Sequence, residues 1–448
     1  MEDLLAARTQ MAISLMFHIL FAIAGMAMPV LMVVSEALWL KTKRPLYLDL
    51  TRRWAKGTAI LFAVGAVSGT VLSFELGLLW PKFMEHAGAI IGMPFSLEGF
   101  AFFTEAIFLG IYLYGWDKVP PRLHLIAGII VAVSGGLSAV FVVAANAWMN
   151  TPTGFDLVDG QLVNIDPVAA MLNPAAFPQA LHMLLAAYAA VGFAVAGIHA
   201  WVLLKHPGDA FHRAALAIAL LVAVPSALLQ PISGDILAQM VAELQPAKLA
   251  AMEAHFETQA GAPLHIGGLP DPETGTVRWA IKIPYGLSLL AHHDPNAVVV
   301  GLNDIPPENR PNVVIVHIAF QIMVACGMVM ALLGLVAAWF AFRRRKSNWE
   351  DLLPESRWFL RSLVLASPLG VLAIEAGWFV TEVGRQPWII QGVMRTRDAL
   401  TPMPGLTVPL VVITLVYLIL GIIVIALLRQ HVASTVPSEE KGPIEVPV

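Results

Sequence analysis

The sequence predicts an all-α, polytopic transmembrane helical bundle of about nine helices, and two observations carry that prediction. Hydrophobic residues make up 58% of the 448 and charged residues only 13%. Apolar runs of roughly twenty residues, each long enough to cross the hydrocarbon, recur from end to end. Spans are expected near residues 11–40, 57–80, 95–116, 123–148, 179–204, 214–232, 312–342, 358–381 and 406–428. Residues 1–232 then hold helices 1–6, residues 233–311 an outer loop, residues 312–428 helices 7–9 and residues 429–448 a cytoplasmic tail.

The first span follows Glu2 and Asp3, where a secretory leader would be basic, and no small-residue cleavage pattern comes after it. It is therefore expected to stay attached. Orientation follows from the cations of the short loops: Lys41, Lys43, Arg44, Arg52, Arg53 and Lys56, then Lys118 and Arg122, then Lys205 and Arg213, then Arg343, Arg344, Arg345 and Lys346. These loops are expected in the cytoplasm, with the N-terminus outside and the C-terminus inside. The alternate loops are poorer in cations, and residues 149–179 contain none, although Arg385, Arg395 and Arg397 make the last outer loop an exception.

The long connection from Ser233 to Pro311 is rich in Pro, Gly, Glu and His, and its first part, residues 236–260, reads as an amphipathic helix. Loops of that length are more often functional than decorative. No internal repeat is evident, which disfavours an inverted-repeat transporter. The single cysteine, Cys326, excludes an intrachain disulfide and a cysteine-based metal cluster, and a net charge of −4 gives no reason to expect nucleic acid.

Chemistry is expected where ionisable groups fall inside spans. Glu375, in the run Glu375-Ala376-Gly377-Trp378-Phe379 that leads into Gly384-Arg385-Gln386-Pro387-Trp388, puts a carboxylate within hydrocarbon. Such a group marks a functional site by default. His18, His182 and His317 lie within spans, on the outer side; the plain alternative for each is a hydrogen bond to a neighbouring helix. Met323 is one of eighteen methionines, whose default role is gap filling. A His and a Met from two helices can, however, make a six-coordinate low-spin haem site, whereas a gas-binding haem needs one ligand and an open position. His18 and Glu375 each suit that second arrangement. Glu98 and Glu105 are seven residues apart, hence on one helical face and about 10 Å apart along it. Two stacked carboxylates suit a proton relay, and Ser138 is either a hydroxyl for that relay or a packed serine.

At these residues the chain resembles subunit I of the cytochrome bd-type quinol oxidases, in the form with a short Q-loop. The EAGWF and GRQPW runs carry the resemblance, supported by residues 320–327 (FQIMVACG), 248–253 (KLAAME) and 145–149 (ANAWM). It implies a haem-containing terminal oxidase that oxidises ubiquinol or menaquinol at the outer face of the bacterial cytoplasmic membrane. It further implies that O2 is reduced to water and that a proton motive force arises without a pump. Position by position, it implies that His182 and Met323 hold a low-spin haem b. His18 and Glu375 would hold a high-spin haem b and a haem d, with the assignment between them open. Glu98 and Glu105 would lie on the proton route, and Lys248 and Glu253 in the quinol-binding Q-loop. Arg385 is expected to anchor a haem propionate or to pair with Glu375, and Trp378 to pack beside that site. The implied partners are a subunit II, a small single-span subunit and the lipid membrane.

Many members of that family carry Arg where this chain has Gln321, a loss expected to weaken stabilisation of haem propionates. Competing readings fare worse. A haem-copper site needs a cluster of histidines within spans, and the only adjacent pair, His292-His293, falls in the loop. A dihaem quinol:cytochrome reductase needs paired histidines on two helices, which are missing. A proton-coupled transporter explains Glu98 and Glu105 but leaves His182 and Met323 idle.

Overall fold

The chain threads back and forth through a helical bundle whose helices begin where the sequence supplies start signals. The computed structural model describes residues 2–345 and 349–433. Nine helical segments among the described residues are long and apolar enough to cross a membrane. Eight are single helices: α1 (Glu2–Thr42), α2 (Pro45–Leu79), α3 (Pro81–Tyr114), α4 (Pro121–Asn150), α6 (Ala176–Lys205), α7 (Ala210–Leu244), α10 (Val313–Arg343) and α13 (Thr407–Ala433). The remaining one is split into α11 (Arg357–Ala366) and α12 (Leu369–Gly384) at Pro368, whose ring disfavours a continuous helix. Short helices α5 (Pro167–Met171), α8 (Pro246–Met252) and α9 (Gly286–His292) lie in the connections. Proline stands in the first turn of α2, α3, α4, α5 and α8, where its missing N–H costs nothing. Asp209 caps α7 by accepting from the His212 amide at 2.9 Å, and Asn312 caps α10 by accepting from the Ile315 amide at 3.1 Å.

Two helix groups share α1 and α6 as their seam. In one, α1 packs on α2, α4 and α13, and α3 on α4; in the other, α6, α7, α10 and α12 close a ring of contacts. α1 is central, with 56% of its most apolar window buried against 11% for α2 and α13. Close approach within the second group depends on small residues. A Cβ on Gly370 would lie 2.3 Å from the Ala190 Cα, and one on Gly197 2.4 Å from the Ser367 Cβ, so only glycine lets α6 meet α11 and α12.

Three expectations need correction. The sixth span does not stop near 232: α7 runs unbroken to Leu244, so the loop that follows it begins at Gln245. Residues 236–260 are not one amphipathic helix, because the chain turns at Gln245, forms only α8, and passes into a two-residue strand at Gln259–Ala260. The third span starts earlier than residue 95, at Pro81. Residues 434–448 of the expected tail and Lys346 lie outside the described residues.

Residues 245–312 form a cap on one end of the bundle, here the loop face. It contains α8, α9 and three short antiparallel ladders, pairing 259–260 with 298–299, 264–266 with 281–283, and 269–271 with 276–278. At the opposite, basic face, Arg44 and Tyr47 hold Glu350, while Arg213 holds Asp351 and Glu355.

Candidate functional site

His182 projects from α6 toward α7, where its surroundings fix its chemistry. Its Nδ1 is 2.9 Å from the Ser233 hydroxyl, and its Nε2 is 3.1 Å from the Gln230 amide nitrogen. Met323, on α10, faces α12: a Cβ on Gly377 would stand 3.1 Å from the Met323 sulfur, so the glycine gives the thioether its room. Their helices are members of the α6, α7, α10, α12 ring. Gly377 and Glu375 share α12, but a spacing of two residues sets them on different faces of that helix.

Both carboxylate oxygens of Glu375 are buried without a hydrogen-bond partner. Arg385, the salt-bridge candidate, does not serve it. That guanidinium is 3% exposed and gives Nη2 to Glu382 at 2.5 Å, while its Nε and Nη1 are buried without partners. Trp378 packs against the apolar core shared by α1, α6, α7 and α10. On the other side of the bundle, His18 of α1 has its Nδ1 3.0 Å from the Ser68 hydroxyl of α2, and a Cβ on Gly69 would stand 3.0 Å from its ring. Glu98 accepts from Ser138 at 3.1 Å, so that serine reaches the carboxylate. Glu105 is buried where α1, α3 and α4 meet, its carboxylate against Gly25 and Gly135.

His317 is not available to a metal. Its Nδ1 is 2.8 Å from the Met252 carbonyl and its Nε2 3.1 Å from the Gly267 carbonyl, so both ring nitrogens face the cap and one of them donates to it. One turn on, Gln321 accepts from the Gly267 amide at 2.9 Å and donates to the His265 carbonyl at 3.0 Å. An arginine has no acceptor for that amide, so the glutamine here is a loop anchor and not merely a missing cation.

Lys248 and Glu253 are both buried under the cap. Lys248 donates to Asn150 Oδ1 at 2.5 Å; Asn150 donates to the Asn146 carbonyl at 2.9 Å; Asn146 donates to Glu382 at 2.7 Å, and Glu382 receives Arg385. A Cβ on Gly384 would lie 2.9 Å from the Lys248 side chain. One chain of hydrogen bonds thus joins the KLAAME, ANAWM and GRQPW segments. Burial, reinforced by the Arg385 charge and opposed by Glu382, pushes Lys248 down to about 7. Burial alone pushes Glu253 up to about 8, and its Oε2 has no partner.

The family model described as "Cytochrome bd terminal oxidase subunit I" matches residues 6–436. The chain belongs to that family. A solved structure of the bd oxidase from Geobacillus thermodenitrificans superposes with a TM-score of 0.88 at 40% identity, covering 97% of this chain and 99% of that one. A protein of Bacillus subtilis (strain 168) named for subunit I of a cytochrome bd menaquinol oxidase is 38% identical, over 96% of this chain and 97% of its own. From the same organism, the cytochrome bd ubiquinol oxidase subunit 1 is 31% identical over 96% and 94%. Membership and the apolar helices make this a multi-pass protein of the bacterial cytoplasmic membrane.

Against the cytochrome bd family, the residues present fit haem. Two histidines have serine-bonded Nδ1 atoms, a thioether sits in a glycine-lined space, a buried carboxylate has no partner, and Arg385 keeps two buried donors unspent toward an anion. Sequence reasoning missed Glu382, Asn146 and Asn150, although Glu382 stands seven residues from Glu375 and hence on its helical face. It also passed over Ser68 and Ser233, which carry no signal among ordinary serines of apolar helices.

Proposed function

We propose that this chain is the haem-carrying subunit of a quinol:O2 oxidoreductase, with His182 and Met323 holding a low-spin haem b and His18 and Glu375 holding a high-spin haem b and a haem d between them. The observation that carries it is the Glu375 carboxylate, buried with both oxygens unpartnered inside a chain of this family: no cation among the described residues serves it, and ferric iron would. The haems, when bound, supply the one-electron steps by which two quinols give four electrons to O2, which takes up four protons to form two waters.

The loop face is taken as the outer face, consistent with the cation-rich loops at the other end. Within the cap, Glu253 accepts a proton from a quinol hydroxyl and Lys248 contributes to binding quinol; the released protons exit outward. Arg385, fixed by Glu382, directs its two spare donors at a haem propionate. From the basic face, Glu105 passes protons one at a time to Glu98, whose carboxylate accepts from the Ser138 hydroxyl. Proton release on one side and uptake on the other generate a membrane potential without a pump. Subunit II and a small single-span subunit complete the complex, and either ubiquinol or menaquinol is its donor.

The ionised fraction of Glu253 falls about tenfold per pH unit below its value near 8, and only the ionised form is a base. Quinol-limited turnover is therefore expected to rise with pH up to about 8 and then level. Glu253→Ala should lower turnover and abolish that inflection with all haem bands intact; an unchanged pH profile would refute its role.

The reading as a whole is tested by quinol-driven oxygen uptake and charge separation in Glu105→Gln, which keeps shape but cannot cycle a proton. Both should slow by about 100-fold or more, with quinol affinity unchanged. Parent-rate turnover with normal proton uptake would make Glu105 a structural carboxylate.

A further inference from the structure

The two histidines on different sides of the bundle share a local arrangement that sequence alone does not reveal. Each ring places Nδ1 on a serine of the neighbouring helix: His182 on Ser233 of α7 at 2.9 Å, His18 on Ser68 of α2 at 3.0 Å. Both serines are buried, at 3% and 0% exposure. Each hydroxyl has one proton, and each already directs it at its own helix. Ser233 Oγ donates to the Gln230 carbonyl at 2.9 Å, and Ser68 Oγ donates to the Val64 carbonyl at 2.9 Å, with the Gly65 carbonyl at 3.1 Å. A carbonyl can only accept, so with the serine proton directed there the serine oxygen is left to receive from the ring. The ring proton is thereby placed on Nδ1, and the lone pair on Nε2.

A second contact agrees at His182. The Gln230 side-chain nitrogen lies 3.2 Å from the His182 carbonyl, which identifies it as the NH2 end of the amide, and the same nitrogen lies 3.1 Å from His182 Nε2. A donor facing Nε2 requires a lone pair there. Glycines leave space beside both rings, since a Cβ on Gly234 would stand 3.5 Å from His182 Cε1 and one on Gly69 3.0 Å from His18 Cε1.

We infer that Ser233 and Ser68 are positioning residues that fix His182 and His18 in the tautomer with the lone pair on Nε2, which at His182 exchanges the Gln230 amide donor for iron when haem binds, and that their hydroxyls raise the basicity of the ligating nitrogen by accepting from Nδ1–H. The inference rests on the haem-ligand reading of the two histidines. A hydrogen bond from the distal N–H of a ligating imidazole strengthens its donation to iron and favours the oxidised metal. Breaking it should therefore raise the reduction potential.

The experiment uses the purified, fully assembled oxidase carrying Ser233→Ala, Ser233→Thr, Ser68→Ala, Ser68→Thr or His182→Ala. Redox titration followed at the low-spin haem band should show an upward shift in Ser233→Ala and recovery in Ser233→Thr, which restores the hydroxyl. Resonance Raman of the reduced complex should show the iron–histidine stretch moving to lower frequency in Ser68→Ala and returning in Ser68→Thr. If His182→Ala loses the low-spin haem while Ser233→Ala leaves its potential unmoved, or if threonine fails to restore a shift, the serine inference is overturned and the haem reading survives. If His182→Ala keeps the low-spin haem, the haem reading itself fails. Where an alanine variant assembles poorly, the threonine variant and the Raman line of the remaining haem-loaded fraction decide.

Discussion

Replacing Glu375 by alanine is expected to remove one high-spin haem from the assembled oxidase while leaving the low-spin haem in place. Oxygen reduction should fall by more than about 100-fold, because substitutions one shell further from a metal already cost about 10- to 100-fold. Arg385→Ala is the informative companion. Were Glu375 held by an ion pair, both variants would destabilise the protein alike and keep the haem ratio. The guanidinium instead pairs with Glu382, and Glu375 has no protein partner. Arg385→Ala should thus keep the high-spin haem and disturb instead the hydrogen-bond chain through Glu382, Asn146, Asn150 and Lys248 that it anchors. Haem content per subunit, measured by pyridine haemochrome and chlorin extraction, distinguishes the two patterns.

The second large effect is expected at Met323. Leucine conserves its volume at a cost below about 1.5 kcal/mol, so Met323→Leu should fold and assemble. On the proposed ligation, loss of the thioether leaves the low-spin haem without its sixth ligand. Its reduced spectrum should shift toward a high-spin form, the native high-spin bands should persist, and electron delivery from quinol should collapse. Gly377→Ala should produce a weaker form of the same change, since its methyl would meet the sulfur at 3.1 Å. An unaltered low-spin spectrum in Met323→Leu would remove this residue from the ligand set.

The transmembrane spans were legible because hydropathy alone specifies them. Their ends were not. The stretch after residue 232 carries Asp235, Gln239 and Glu243, so its polarity suggests an exit from the membrane. In the fold it stays helical to Leu244 because the cap packs on it, with Asp235 and Gln239 meeting His293. His317 was singled out only as a histidine within a span, and its partners, carbonyls 65 and 50 residues away in sequence, could not be read from the chain. Gln321 was read as a lost charge for the same reason. Lys248 and Arg385 were visible through motif resemblance. The Asn146, Asn150 and Glu382 side chains that connect them were not, because they come together only when α4, α8 and α12 converge on the loop face.

The most direct measurement is the visible spectrum of the purified complex, air-oxidised and then reduced with dithionite. Low-spin b-type bands together with a chlorin-type band, at one low-spin and two high-spin haems per copy of this chain, are the expected result. A colourless protein, or b-type bands with no chlorin band, would contradict the assignment of His18, His182, Met323 and Glu375 as the ligands of three haems.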